Sequence, residues 1–170
     1  EIGESIKLRV LRDCKKLELD LVINNLANDN LLVNTILHDE SPNYLGYGGY
    51  VFSPLTRNLL VGNRSTLLRL RQASREWASD DREEAVILLK VLATPANRGD
   101  HSYSLWMVDK VDSKKFKNFA EFIQIIRDFR GKYLIVENED GVKIAIDRER
   151  ARELEQIILN RYDIKNSIRW

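Results

Sequence analysis

Apolar and polar positions alternate through Ile6, Leu8 and Val10, and again through Leu17, Leu19 and Leu21. A period of two is that of a strand with one face turned to a core. The polar run RDCKK, residues 12–16, separates the two sets, so residues 6–23 are predicted to form a β-hairpin. Where such a turn needs a positive φ, glycine is the usual occupant of the place held here by Cys14. Residues 24–32, NNLANDNLL, are rich in Asn and Asp and read as a linker or long turn. The hairpin therefore reads as the end of a preceding module. Residues 33–49 read mostly as loop and end in three glycines, Gly46, Gly48 and Gly49. A short β run, Tyr50, Val51 and Phe52, follows, and Pro54 ends it or opens a helical turn over PLTRNLL.

Residues 64–77 are predicted as a helix turning Leu67, Leu68, Leu70 and Trp77 to the core. Residues 83–94 hold a long apolar run, the mark of a strand buried on both faces. Residues 103–112 form another strand. The clearest helix starts at Asn118: Phe119, Phe122, Ile123, Ile126 and Phe129 make one apolar stripe. Asn118 is its expected cap, with Glu121 as reciprocal partner and Gly131 as a left-handed stop. The runs KYLIVEN and VKIAID flank the turn EDG, a strong hairpin signal. Asp147 is expected to cap a last helix carrying Ala151, Leu154, Ile157 and Ile158. The tail NRYDIKNSIRW is polar and is expected to fray.

Composition narrows the function classes. The chain has 170 residues, 44% of them hydrophobic and 31% charged, enough for an ordinary domain with its own core. Its net charge of +1 gives no broad basic field for nucleic acid or anionic lipid. The arginines at 64, 69, 71 and 75 read as a solvated helix face beside the acidic run DDREE. No window approaches the ~18 consecutive apolar residues of a membrane span, and the first residues lack a signal-peptide pattern. The chain reads as a fragment. Cys14 is the only cysteine, so no intrachain disulfide forms; it reads as an exposed thiol on a turn. His38 and His101 are the only histidines. With no nucleophile loop of the GNSGGP type, a catalytic triad is not expected. Two distant histidines and one cysteine make no metal-ligand spacing, and no cofactor is expected.

The glycines carry the sharpest hypothesis. A glycine-rich bend before a strand exposes backbone N–H groups as a nest for a carboxylate, and bare backbone lets a ligand approach closely. The strand edge would pair with a peptide, and an apolar helix would wall the other side.

The stretch SPNYLGYGGYVFSPLTRNLL, residues 41–60, resembles the opening of the C-terminal PDZ-like domain of Do-like (Deg/HtrA) serine proteases. The run from Met107 to Asp147 is similar to that domain's strand, groove helix and closing strands, and ARELEQIILNRYDI to its last helix. The likeness covers about residues 40 to 165. GESIKLRVLRDCKKLELDLVI is similar to the closing hairpin of the PDZ domain that precedes it in the family. The resemblance implies an α+β fold: a PDZ-like, partly open β-barrel or sandwich with two or three flanking helices and a helical insert at about 55–82. It implies a division into residues 1–25, ending a preceding PDZ domain, and 26–170.

Carried over to this sequence, the carboxylate loop maps to Tyr47, Gly48, Gly49 and Tyr50, and the pairing strand to Val51, Phe52 and Ser53. The helix wall maps to Phe119, Phe122, Ile123 and Ile126. The implied partners are the preceding PDZ and trypsin-like protease domains of the same chain, further copies in a homo-oligomer, and a C-terminal peptide. The implied compartment is a bacterial cell envelope or an organelle. Two roles follow. Pro54, which lacks an N–H, and the long insert favour a non-catalytic module for assembly and regulation of proteolysis. The alternative is a peptide-binding module recognising C-termini of substrates or misfolded proteins.

Overall fold

The computed structural model describes residues 3–23, 30–33, 41–62 and 68–170. The chain divides into two units, Glu1–Asn30 and Leu31–Trp170. The first holds an antiparallel hairpin of β1 (Ser5–Arg12) and β2 (Lys15–Val22). Asp13 and Cys14 form its turn, and both take positive φ, 51° and 60°. That is the two-residue turn whose twist matches the flanking strands, here built without glycine. Ile6 lies opposite Leu21, Leu8 opposite Leu19 and Val10 opposite Leu17, so one face is apolar along its length. Most of these side chains are exposed.

The second unit runs β3 (Tyr44–Tyr47), β4 (Tyr50–Pro54), α1 (Arg57–Gly62), α2 (Leu68–Ala73), β5 (Val86–Val91), β6 (Ser104–Val111), α3 (Phe119–Asp128), β7 (Tyr133–Asn138), β8 (Lys143–Asp147), α4 (Arg148–Arg161) and β9 (Ile168–Arg169). Seven strands form one open antiparallel sheet in the order β8-β7-β6-β5-β4-β3-β9. This is the α+β, partly open sheet with flanking helices that the sequence leads one to expect. Among the described residues no helix is long and apolar enough to cross a membrane.

The sheet has a core on each face, which period-two alternation makes possible. Leu45 lies opposite Phe52, Phe52 opposite Leu88, and Leu88 opposite Trp106. This row meets the apolar stripe of α3. Phe122 is wholly buried at its centre, with the rings of Phe52, Phe116 and Phe119 at 5.1, 5.2 and 5.8 Å. Ile87 and Met107 face the other way and pack with Leu32, Val33, Leu55, Leu70 and Ala73. Val86, Ile87 and Leu88 are all buried, as a strand covered on both faces requires.

Several expectations need correction. The helix expected over 64–77 is described only as Leu68–Ala73, and residues 63–67, with Leu67 and Arg64, lie outside the described residues. Leu70 is buried but Leu68 is 80% exposed, because residues two apart on a helix point to different sides. Trp77 lies beyond the helix, 62% exposed, in a bridge to Leu31. Asn118 caps α3 by accepting from the Glu121 N–H, but Glu121 reaches back to the Lys117 N–H, one residue earlier than a capping box. Gly131 is not among the residues with positive φ, so it supplies no left-handed stop. A Cβ there would lie 2.5 Å from the Phe129 ring, which would have to shift to admit it. In α4, Asp147 caps as expected and Ala151 and Ile158 are buried, while Ile157 is exposed. The stretch read as loop before the glycines contains β3. The tail is not frayed; its residues 168–169 form β9.

Candidate peptide groove between β3 and α3

One edge of β3 is bonded to β4; the other lies beside α3. Between them runs a trough of about 330 Å³, with Leu45, Gly46 and Tyr47 on one wall and Ile123, Ile126 and Arg127 on the other. A short strand sits along it. β9 pairs antiparallel with β3, Ile168 opposite Leu45 and Arg169 opposite Tyr44. The Gly46 N–H donates to Ser167 O at 2.6 Å, and the Tyr44 hydroxyl donates to Asn166 O at 2.9 Å. Ile168 packs on the core below, and two residues on Trp170 stacks on Phe119 at 6.2 Å. Alternate side chains thus reach the helix while the backbone extends the sheet, which is strand addition to an exposed edge. The chain supplies the strand itself.

The seat is shallow. Hydrogen bonds of this kind contribute on the order of 1 kcal/mol net each. Trp170 remains 65% exposed. Such a strand holds its place chiefly because it is tethered at high local concentration.

The sequence-predicted site residues are shared between groove and core. Tyr47, Ile123 and Ile126 line the trough, and Phe119 lies under Trp170. Phe52, Tyr50 and Phe122 are buried in the core. Val51 faces the opposite side of the sheet. The strand carrying Val51, Phe52 and Ser53 is bonded on both edges, to β3 and to β5, so the accessible border belongs to β3 instead. Pro54 pairs beside Val86 at the end of this interior strand and removes no donor from the groove.

Gly48 and Gly49 form the β3–β4 turn at φ 60° and 91°. They are packed rather than open. A Cβ on Gly48 would lie 2.9 Å from Ile146 Cγ2, and one on Gly49 2.8 Å from Leu92 O and 2.6 Å from Asn97 Nδ2. Asn97, buried and overlooked in the sequence because it lies in a polar loop, holds this corner. Its Nδ2 donates to Leu92 O at 2.7 Å and to Gly48 O at 3.4 Å, and its Oδ1 accepts from the Thr94 N–H. Also missed were Ile168 and Trp170; their only signal is their alternation in a short polar tail.

Two tyrosines are tuned by their surroundings. Burial pushes the Tyr47 hydroxyl pKa up, opposed by the positive charges of Arg148 and Arg152. Burial, reinforced by its 2.6 Å hydrogen bond to Asp100 Oδ2, raises that of Tyr50, so both stay protonated donors at neutral pH. A cavity of about 870 Å³ lies on the other face of the sheet, floored by Gly46, Val51 and Leu89 and flanked by Ile158 of α4. His38, Asp39 and Glu40 lie outside the described residues, and His101 is exposed.

An edge strand and an amphipathic helix enclosing a bound strand, on an open antiparallel sheet, define a PDZ domain. The PDZ-domain family profile matches residues 33–168, and the chain belongs to that family. Within it, the chain is similar to Do-like and DegP proteases. The chain is 26% identical over 164 residues to the Arabidopsis thaliana protein named Do-like 13, covering 96% of this chain and 30% of that protein. It is 29% identical to "Protease Do-like 2, chloroplastic" of the same plant, covering 95% and 27%. It is 27% identical over 119 residues to "Serine protease DegP homolog" of Plasmodium falciparum, covering 70% and 14%. The chain thus spans less than a third of each of these proteins. It is a PDZ domain similar to a part of Do-like and DegP proteases.

Proposed function

We propose that this PDZ domain regulates a Do-like serine protease and takes part in its assembly, with its groove held by its own strand until another strand displaces it. The observation that carries this reading is the pairing of β9 on β3, with Ile168 against the core and Trp170 on Phe119. A seat made of a two-residue strand is weak enough for exchange, so an incoming segment and the tail compete for one edge. The hairpin of the first unit fits as the last hairpin of a preceding PDZ domain. Its apolar face, Ile6, Leu8 and Val10 against Leu21, Leu19 and Leu17, is a half-core without its other half. The alternative, capture of C-terminal peptides from substrates or misfolded proteins, needs the same edge vacated.

The test uses the full-length protease. Ile168→Asp places a charge against the apolar wall of α3 and should unseat the tail. We expect specific activity on casein to change at least about threefold, or the oligomer distribution in multi-angle light scattering to shift. Unchanged activity and unchanged mass together would count against a regulatory role.

A further inference from the structure

Charge along the groove runs the wrong way for a free C-terminus. A strand laid antiparallel on β3 enters beside Tyr47 and leaves beside Tyr44. The entry end carries Arg148 and Arg152, with Glu155 beside them, all acting on Tyr47, while Arg127 lines the groove along Ile168 and Trp170. At the exit end, below Trp170, is a recess lined by Asn43, Glu83, Glu84, Asn118 and Phe119, with no Lys or Arg among its described lining residues. Three donors at this end are already engaged. The Phe119 N–H donates to Glu84 Oε2 at 2.8 Å, Asn118 Nδ2 to Glu83 Oε2 at 2.6 Å, and the Glu121 N–H to Asn118 Oδ1 at 3.0 Å. Pro42, in the segment leading into β3, has no N–H to give. An arriving carboxylate would meet two glutamates, and like charges placed together oppose binding strongly.

We propose that the groove takes a segment from the interior of a chain, acidic before its paired residues and neutral or basic after them, and that Glu83 and Glu84 exclude a free C-terminal carboxylate. This rests on the reading above that the groove takes a strand.

The test titrates the double variant Ile168→Asp, Trp170→Ala with a fluorescein-labelled peptide of sequence DIKNSIRW, once as the amide and once as the free acid. Fluorescence anisotropy should give the amide about tenfold tighter binding. The gap should shrink in about 1 M salt, where charges are screened. It should fall to about twofold when Glu83→Gln and Glu84→Gln are added, since glutamine keeps an oxygen to accept from Asn118 and the Phe119 N–H. The same ratio is read on the wild-type chain at higher peptide excess, so the result does not hang on the variant's folding. Equal or tighter binding of the acid overturns the carboxylate exclusion while leaving strand binding standing. Binding of neither form to any of these proteins overturns the strand reading and this inference with it.

Discussion

The molecule contains the same turn twice, once loose and once packed. Asp13 and Cys14 close the first hairpin, and Gly48 and Gly49 close the β3–β4 hairpin; all four residues have positive φ. The first pair tolerates side chains because Cys14 stands in the open, so only the modest strain of the left-handed region is felt. The second pair cannot carry a Cβ without meeting Ile146 or Ala151 on one side and Leu92 O or Asn97 on the other. Backbone conformation alone therefore does not explain the glycines. What demands them is the closeness of neighbouring elements, which lets α4 and the loop after β5 lock the turn that positions β3. Glycines that invite the reading of a ligand nest are in this chain the bolt that holds the groove wall.

The contrast can be broken in graded steps. The largest effect is expected from Gly49→Val, where a β-branched side chain combines positive-φ strain with overlap on Leu92 O. We expect a loss of about 4 kcal/mol in urea-induced unfolding, or no folded protein. Asn97→Ala should cost about 3 kcal/mol, since it leaves the buried Thr94 N–H and the Leu92 carbonyl without their partner. Gly48→Ala should cost about 2 kcal/mol, split between strain and the approach to Ile146. Cys14→Gly, at the matching turn of the first hairpin, should change stability by less than about 1 kcal/mol and in the favourable direction. Its check is slower amide exchange across β1 and β2. A Gly49→Val protein as stable as the wild type would remove the distinction between the two turns.

Much of the fold was legible because period and chemistry agreed. The α3 stripe Phe119, Phe122, Ile123 and Ile126, the Asn118 and Asp147 caps, and the doubly buried run Val86–Val91 all follow local rules. The candidate site was less so. The helix beside β3 could be read, but the strand expected at the border was Val51 and Phe52, whereas the structure sets β3, Tyr44–Tyr47, beside α3. The physical cause is composition. Val51 and Phe52 have high β propensity, whereas YLGY has a glycine in the middle and looks like turn material. Which strand forms the border depends on non-local pairing, and Phe52 stands in register with both Leu45 and Leu88. The tail was misread for a similar reason: residues 160–170 have no strong periodicity, and β9 exists only because β3 offers it an edge. Asn97 gave no signal, since a buried asparagine in a polar loop looks like an exposed one.

The central claim is that the groove edge is covered by the chain's own strand, and the Gly46 amide reports it directly. Its recorded partner is Ser167 O, across the groove, while Tyr50 and Phe52 on β4 pair with the residues on either side of it. Amide exchange should be measured in the wild type and in Ile168→Asp. The account predicts that Gly46 exchanges at least about tenfold faster in the variant, while Leu88 and Phe122 keep their protection. Equal Gly46 protection in the two proteins, with the fold intact in both, would contradict it.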